Sequence, residues 1–265
     1  MIIQNKRVLL TGASGGIGSE LAIALANKGA KLILLDRDAV ALESLTSKLT
    51  SIGADVRQII ADLSDASVVK DVIDEAVACF DGLDILINNA GILDFSLYEK
   101  ITSARIALTM QINAIAPMLL ANAVLPIFKR KDSGLILNVG STFGSIGFAH
   151  YVPYSASKFA IRGFSQALRR ELVGTGISVL YVAPRATTTS LNNDSSVDLM
   201  HKQGTKMDSP QLVASKMIEA IELERPETYI GQPESFFARL NALFPKLVDM
   251  GLKAKTLEAR ALFKK

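Results

Sequence analysis

The sequence predicts an α/β fold, a doubly wound, Rossmann-like parallel sheet in three layers. Three observations carry this. Short apolar runs without polar alternation recur along the chain, the pattern of strands buried on both faces. Longer segments with helical periodicity lie between them, so strand and helix alternate. The first apolar run leads directly into a glycine-rich turn that opens a helical segment.

The strands are expected at 8–10, 32–35, 59–61, 85–87, 135–139 and 179–182, with a last one near Tyr229 and Ile230. Helices are expected at 17–28, 39–51, 67–80 and 153–174, the last opened by Pro153. Gly29 and Gly53 fall where the first two helices should end. Residues 187–206 are rich in Thr, Ser, Asn and Asp and read as a long surface loop or lid. Residues 1–232 form the expected catalytic domain, with a substrate loop at about 185–206, and 233–265 an amphipathic helical extension.

The length of 265 residues suits a single α/β domain, and 49% hydrophobic residues suffice for a sizeable core. A net charge of +3 without a basic, aromatic-interleaved stripe argues against nucleic acid. The single cysteine, Cys79, cannot form an internal disulfide and fits a reducing cytoplasm. It reads as a small buried helix residue. The start of the chain shows no signal-peptide pattern, and no membrane-spanning helix is expected. His150 reads as a loop residue near a substrate entrance and His201 as part of the polar loop. Neither has the Cys or carboxylate spacing of a metal site.

The turn runs Thr11, Gly12, Ala13, Ser14, Gly15, Gly16, Ile17, Gly18. Its spacing, Gly12-x-x-x-Gly16-x-Gly18, differs from the commoner Gly-x-Gly-x-x-Gly. Glycines here permit a tight turn and close approach of backbone to a pyrophosphate, which the helix N-terminus attracts. Gly12, Ser14, Gly16, Ile17 and Gly18 are therefore candidate cofactor contacts. Asp36 ends the second strand, where a carboxylate accepts hydrogen bonds from ribose hydroxyls and repels a 2′-phosphate. This favours NAD over NADP. Arg37 beside it could instead pair with that phosphate, and Asp36 could be a helix N-cap.

Several motifs together resemble the short-chain dehydrogenase/reductase family. They are the turn at 11–18, Asp62 with Leu63, Asn88-Asn89-Ala90-Gly91, Asn113, Ser141, Tyr154-x-x-x-Lys158, and Pro184 with Thr189, in the family's order across residues 6–231. The resemblance implies roles. Asp62, with Leu63 beside it, would contact the adenine ring. Asn89, Ala90 and Gly91 would line the cofactor. Asn113 would hold a water in a proton relay. Ser141, Tyr154 and Lys158 would form the catalytic core with it. Tyr154, Lys158, Pro184 and Thr187 would also contact the cofactor, and Thr189 would meet the nicotinamide carboxamide. It also implies a homodimer or homotetramer. One departure is Arg185, where the family usually has glycine. Arg185 is expected to point into solvent, with an anionic substrate group as the alternative partner.

The chemistry fits these residue types. Hydride transfer to a carbonyl builds charge on oxygen, which needs a proton donor and a polarising group. A tyrosine hydroxyl can donate, and a nearby ammonium should lower its pKa of about 10. Tyr154 and Lys158, four apart on a helix, share a face. Ser141, after the 135–139 strand, can bond the substrate oxygen.

Beyond Ser235 the apolar positions Phe236, Leu240, Phe244, Leu247, Val248, Gly251 and Leu252 form a helical stripe. Residues 233–265 hold seven basic and three acidic residues, a local +4. Such a helix can cover the substrate pocket, pack on another subunit, or lie on a membrane surface; the first two are favoured. The tail suggests a hydrophobic, lipid-like or steroid-like substrate. The alternatives are an NADPH-dependent ketoacyl-thioester reductase and a non-catalytic, cofactor-binding redox sensor.

Overall fold

The computed structural model describes residues 1–192 and 194–263; Asn193 in the expected loop and Lys264 and Lys265 of the tail lie outside the described residues. Seven strands form one parallel sheet: β1 (Arg7–Thr11), β2 (Lys31–Asp36), β3 (Val56–Ile60), β4 (Ile85–Asn88), β5 (Gly134–Val139), β6 (Ile177–Ala183) and β7 (Glu227–Tyr229). Their order is β3-β2-β1-β4-β5-β6-β7. The helices are α1 (Gly16–Asn27), α2 (Ala39–Ser51), α3 (Val69–Phe80), α4 (Ser103–Met110), α5 (Ala116–Arg130), α6 (Val152–Glu171), α7 (Asp194–Lys202), α8 (Pro210–Glu222), α9 (Glu234–Leu243) and α10 (Pro245–Ala261).

Alternate residues of each central strand feed two cores. Val8, Leu10, Leu32, Leu34, Ile85 and Ile87 pack with Leu21, Leu25, Leu42, Leu49 and Met217 of α1, α2 and α8. Leu9, Ile33, Leu35, Leu86 and Ile136 pack on the other side with Val72, Ile73, Leu120, Val124 and Leu168 of α3, α5 and α6. Both faces of the sheet are covered, which is why the strands read as unbroken apolar runs. Cys79 is half-buried beside the second core, and burial raises its thiol pKa.

Two expectations change. The third strand lies at Val56–Ile60, not 59–61, because it is an edge strand with only Val56 and Ile59 buried. Residues 187–206 are not all loop: Asp194–Lys202 forms α7, which buries Ser196 and Leu199 and carries His201 in its last turn. One helical stretch, Ser103–Arg130, is long and apolar enough by length and composition to cross a membrane. Half of its apolar window is buried, and Ala116, Leu120, Ala121 and Val124 sit in the core against the sheet.

Candidate active site

β1 and β4 are neighbours at the sheet's centre, and successive connections run to opposite sides of them. This switch point opens a crevice at the C-terminal strand ends. A cavity of about 620 Å³ occupies it. Its lining brings together Gly12, Ser14, Gly16, Ile17, Gly18, Asp36, Arg37, Asp62, Leu63, Asn89, Ala90, Gly91, Ser141, Tyr154, Lys158, Pro184, Thr187 and Thr189. Asn113 lies outside the lining, one layer behind.

The glycine turn has φ +63° at Gly12, where a Cβ would come 2.7 Å from Ala90 Cα. A Cβ on Gly18 would lie 2.1 Å from the Gly12 carbonyl, so only glycine lets α1 pack this close. No side chain caps α1, and its first turn holds no acid. Its N–H groups and positive dipole end are therefore left for an anion in the cavity. Thr11 Oγ1 accepts from Asn89 N and Ala90 N at 3.0 and 3.1 Å, and Asn89 Nδ2 donates to the Thr11 and Gly12 carbonyls. These bonds tie the turn after β4 to the turn after β1. The cradle fits a dinucleotide's pyrophosphate.

Asp36 does not cap α2. Asp38 does, accepting from Ala41 N at 3.0 Å. The Asp36 carboxylate is held in the cavity wall, accepting from Ser14 N at 3.0 Å, Ser14 Oγ at 2.6 Å and Arg37 N at 2.8 Å. The Arg37 residue is exposed. Asp62 Oδ1 accepts from Ser64 N.

Tyr154 and Lys158 lie one turn apart on α6, both buried. Lys158 Nζ donates to the Val139 carbonyl at 2.9 Å and lies 5.6 Å from the Tyr154 ring centroid. Burial pushes Lys158 down to about 8. It pushes Tyr154 up to about 12, opposed by a hydrogen bond with Ser141. The expected lowering of the Tyr154 pKa by Lys158 is not found: burial of the phenolate raises it, and the hydrogen bond with Ser141 is what opposes the rise. Ser141 Oγ also accepts from Phe143 N at 3.1 Å, capping a short 3₁₀ turn over Thr142–Gly144. Asn113 sits in a π-helical turn between α4 and α5. Its Oδ1 accepts from Ile92 N at 2.8 Å, and its Nδ2 donates to Ile92 O and to Ser157 Oγ. Its side chain thus fastens the backbone after Gly91 to α6.

Tyr181 belongs to the site although no motif marks it in the sequence. This fully buried residue of β6 donates its hydroxyl to Ser141 O at 3.1 Å and accepts from Ser141 N at 3.4 Å. Gly140 and Gly144 make room for it: Cβ atoms there would lie 2.1 Å from Tyr181 Cζ and 2.5 Å from its hydroxyl. The available signal was two glycines bracketing Ser141 and one polar-tipped residue in an apolar strand. No motif marks the apolar wall beside Tyr154 either, where Leu93, Phe143, Tyr151 and Met200 line the cavity. Phe143 meets Tyr151 and Tyr154 edge-on, at 5.0 and 5.8 Å between ring centroids.

Arg185 does not point into solvent. Its guanidinium pairs with the buried Asp208, Nη2 to Oδ1 at 2.7 Å and Nε to Oδ2 at 3.0 Å, and donates to Gln232 O. Backbone bonds between Thr188 and Asp208, and between Asp208 and Ala186, close the base of the loop. Thr189 leans on the glycine turn, where a Cβ on Gly16 would come 2.6 Å from its Cγ2. The tail packs behind this wall. Asn241 donates to Ser145 O at 2.9 Å, Gln203 to Lys255 O at 3.0 Å, and Phe263 contacts Phe95 and His150 at 5.1 and 4.8 Å between centroids. His150 is in a connecting segment as expected, but it is buried under the tail with φ +70°, and burial lowers its pKa.

Known proteins share this architecture. The model of the short chain dehydrogenase family matches residues 6–199. A ketoacyl reductase, HetN, from Nostoc sp. is 31% identical over 231 residues, covering 87% of this chain and 80% of that one. The D-threitol dehydrogenase of Mycolicibacterium smegmatis is 31% identical over 191 residues, 72% of this chain and 74% of that one. A short chain dehydrogenase/reductase from Burkholderia phymatum, solved in complex with NAD, superposes with a TM-score of 0.84 over 96% of both chains at 22% identity. The chain belongs to the short-chain dehydrogenase/reductase family of nicotinamide-dependent oxidoreductases.

Proposed function

We propose that this protein is an NAD-linked oxidoreductase that interconverts a hydrophobic carbonyl compound and its alcohol, with Tyr154 as the general acid/base. One observation carries the reading: Ser141, Tyr154 and Lys158 share a single cavity with the glycine turn and Asp36. The residues that would hold the cofactor are Gly12, Ser14, Gly16, Ile17 and Gly18 at the pyrophosphate, Asp36 and Arg37 at the ribose, and Asp62 and Leu63 at the adenine. Asn89, Ala90 and Gly91 would line its middle, and Lys158, Pro184, Thr187 and Thr189 the nicotinamide end. When bound, that group supplies or accepts hydride at the substrate carbon. The protein's own residues manage the oxygen. Ser141 Oγ bonds and polarises it, and Tyr154 delivers or removes its proton. Lys158 places a cation beside the developing charge, and Asn113 holds the backbone and α6 in register. At neutral pH the buried pair is phenol plus ammonium, the charge state that donates a proton to a carbonyl.

The Asp36 carboxylate repels a 2′-phosphate and favours NAD. Leu93, Phe143, Tyr151 and Met200 favour an apolar substrate. The relatives named for a ketoacyl and a polyol substrate do not share one substrate class. An NADPH-dependent ketoacyl-thioester reductase is the second reading, favoured by HetN's name and opposed by Asp36. A redox sensor without catalysis is opposed by the intact Asn113, Ser141, Tyr154 and Lys158 set. Residues 1–232 form the catalytic unit and 233–265 an appended helical layer, in a homodimer or homotetramer of the cytoplasm. Exposed Ile115, Val152 and Phe159 offer an apolar surface for such assembly. A panel of alcohols and ketones of increasing chain length, followed by the absorbance of reduced cofactor with NAD and NADP in parallel, tests the reading. NAD and the longer apolar substrates should give the higher kcat/KM. A preference for NADP or for short polar substrates would overturn those parts.

A further inference from the structure

The tail helices are apolar on two sides. Inward, Ala238, Val248 and Ala259 are buried against the protein. Outward, Phe236, Leu243, Phe244, Leu247, Met250 and Leu257 are exposed, Leu243 by 74% and Met250 by 73%. On α10 the exposed positions Leu247, Met250, Ala254, Leu257 and Ala261 follow a 3-4-3-4 spacing, so they form one stripe along the helix. A helix lying on a protein needs one apolar face. A second, continuous one marks a surface that something else covers.

Charge identifies the occupant. Lys246 and Lys253 are exposed along one flank of the stripe, and Arg239 is exposed on α9. The segment 233–265 carries seven basic and three acidic residues. Among the described residues of α9 and α10, the exposed basic residues Arg239, Lys246, Lys253, Lys255 and Arg260 outnumber the exposed acids Asp249 and Glu258. A second copy docking face to face would set this positive excess against itself, whereas an anionic bilayer surface is complementary to both the charge and the apolar stripe. We propose that the outer face of α9 and α10 docks on the surface of an anionic membrane, with Leu247, Met250 and Leu257 entering the headgroup region and the lysines meeting lipid phosphates. This does not depend on the substrate or the cofactor, and its test does not read activity.

The full-length protein is sedimented with vesicles of phosphatidylcholine alone and of phosphatidylcholine with phosphatidylglycerol. Binding is expected to the anionic vesicles, to weaken as salt is raised, and to be far weaker to the neutral ones. Replacing Lys246→Glu with Lys253→Glu should lower partitioning at least about tenfold, and Leu247→Glu with Met250→Glu should abolish it. These side chains are exposed, so the melting temperature should hold in both variants. A wild-type protein that stays in solution with anionic vesicles, or variants that bind as well as wild type, would overturn the proposal. So would a Leu247→Glu, Met250→Glu protein whose only change is a smaller assembly by size-exclusion chromatography; that result would assign the face to a second copy.

Discussion

Tyr181 shows how much of a site can depend on a residue that touches no substrate. Its hydroxyl spans the amide and carbonyl of Ser141, and its ring fills the space that Gly140 and Gly144 leave. We expect Tyr181→Phe to lower kcat several-fold with little change in KM, because Ser141 would lose its fixed orientation while the apolar wall stays intact. The stability cost should be about 1–3 kcal/mol, that of buried groups left unpaired. Unchanged kcat with lowered stability would make Tyr181 a packing residue only. Nothing in the sequence pairs positions 141 and 181; the contact exists because β5 and β6 are neighbours in register. The pair Tyr154 and Lys158 was legible for the opposite reason, since helix geometry alone puts residues four apart on one face. Arg185 illustrates the limit again. Its partner Asp208 lies 23 positions away, across a loop whose folding the composition did not disclose.

At the scale of elements, the central strands and α1, α2 and α6 were readable because each has one dominant signal, an apolar run or a 3.6-residue period. Elements with mixed signals are harder to place. β3 alternates because it is an edge, α7 is polar on its exposed side, and the tail has two apolar faces that blur into one stripe. The loop between β6 and α8 is closed at its base by the Arg185–Asp208 pair, which is 12% and 5% exposed. Breaking a buried pair by removing one partner costs about 3 kcal/mol or more. Asp208→Ala should therefore loosen α7 and the wall that carries Met200. Limited proteolysis should cut within 187–206 faster than in wild type, and KM for apolar substrates should rise. An unchanged cleavage rate would show that the loop is held by its backbone bonds alone.

At the scale of the whole molecule, the buried Lys158 links site chemistry to stability. Its pKa is depressed to about 8 in the fold, from 10.5 when free. Below pH 8 it is charged in both states, and the fold bears the full desolvation cost, roughly 3 kcal/mol by this shift. Between about pH 8 and 10.5 the folded form has released the proton while the unfolded form still holds it. The unfolded state then binds more protons, and this contribution to stability rises with pH. Lys158→Met should consequently be more stable than wild type at pH 7 in urea unfolding, with the difference shrinking as pH approaches 10. A difference independent of pH would mean that the ammonium is not desolvated in the free protein. The glycine turn, Asp36 and the Tyr154 pair lie on different elements of this one sheet, and the switch point between β1 and β4 is what gathers them.

The proposed chemistry depends most heavily on Tyr154 as the proton donor, and its direct test is turnover by Tyr154→Phe. The variant keeps the ring that packs against Phe143 and removes only the hydroxyl. On the best substrate of the panel, with cofactor binding verified by titration, kcat should fall by about 10² to 10⁴, the range for loss of a positioned acid. Turnover within a few-fold of wild type would contradict this role for Tyr154.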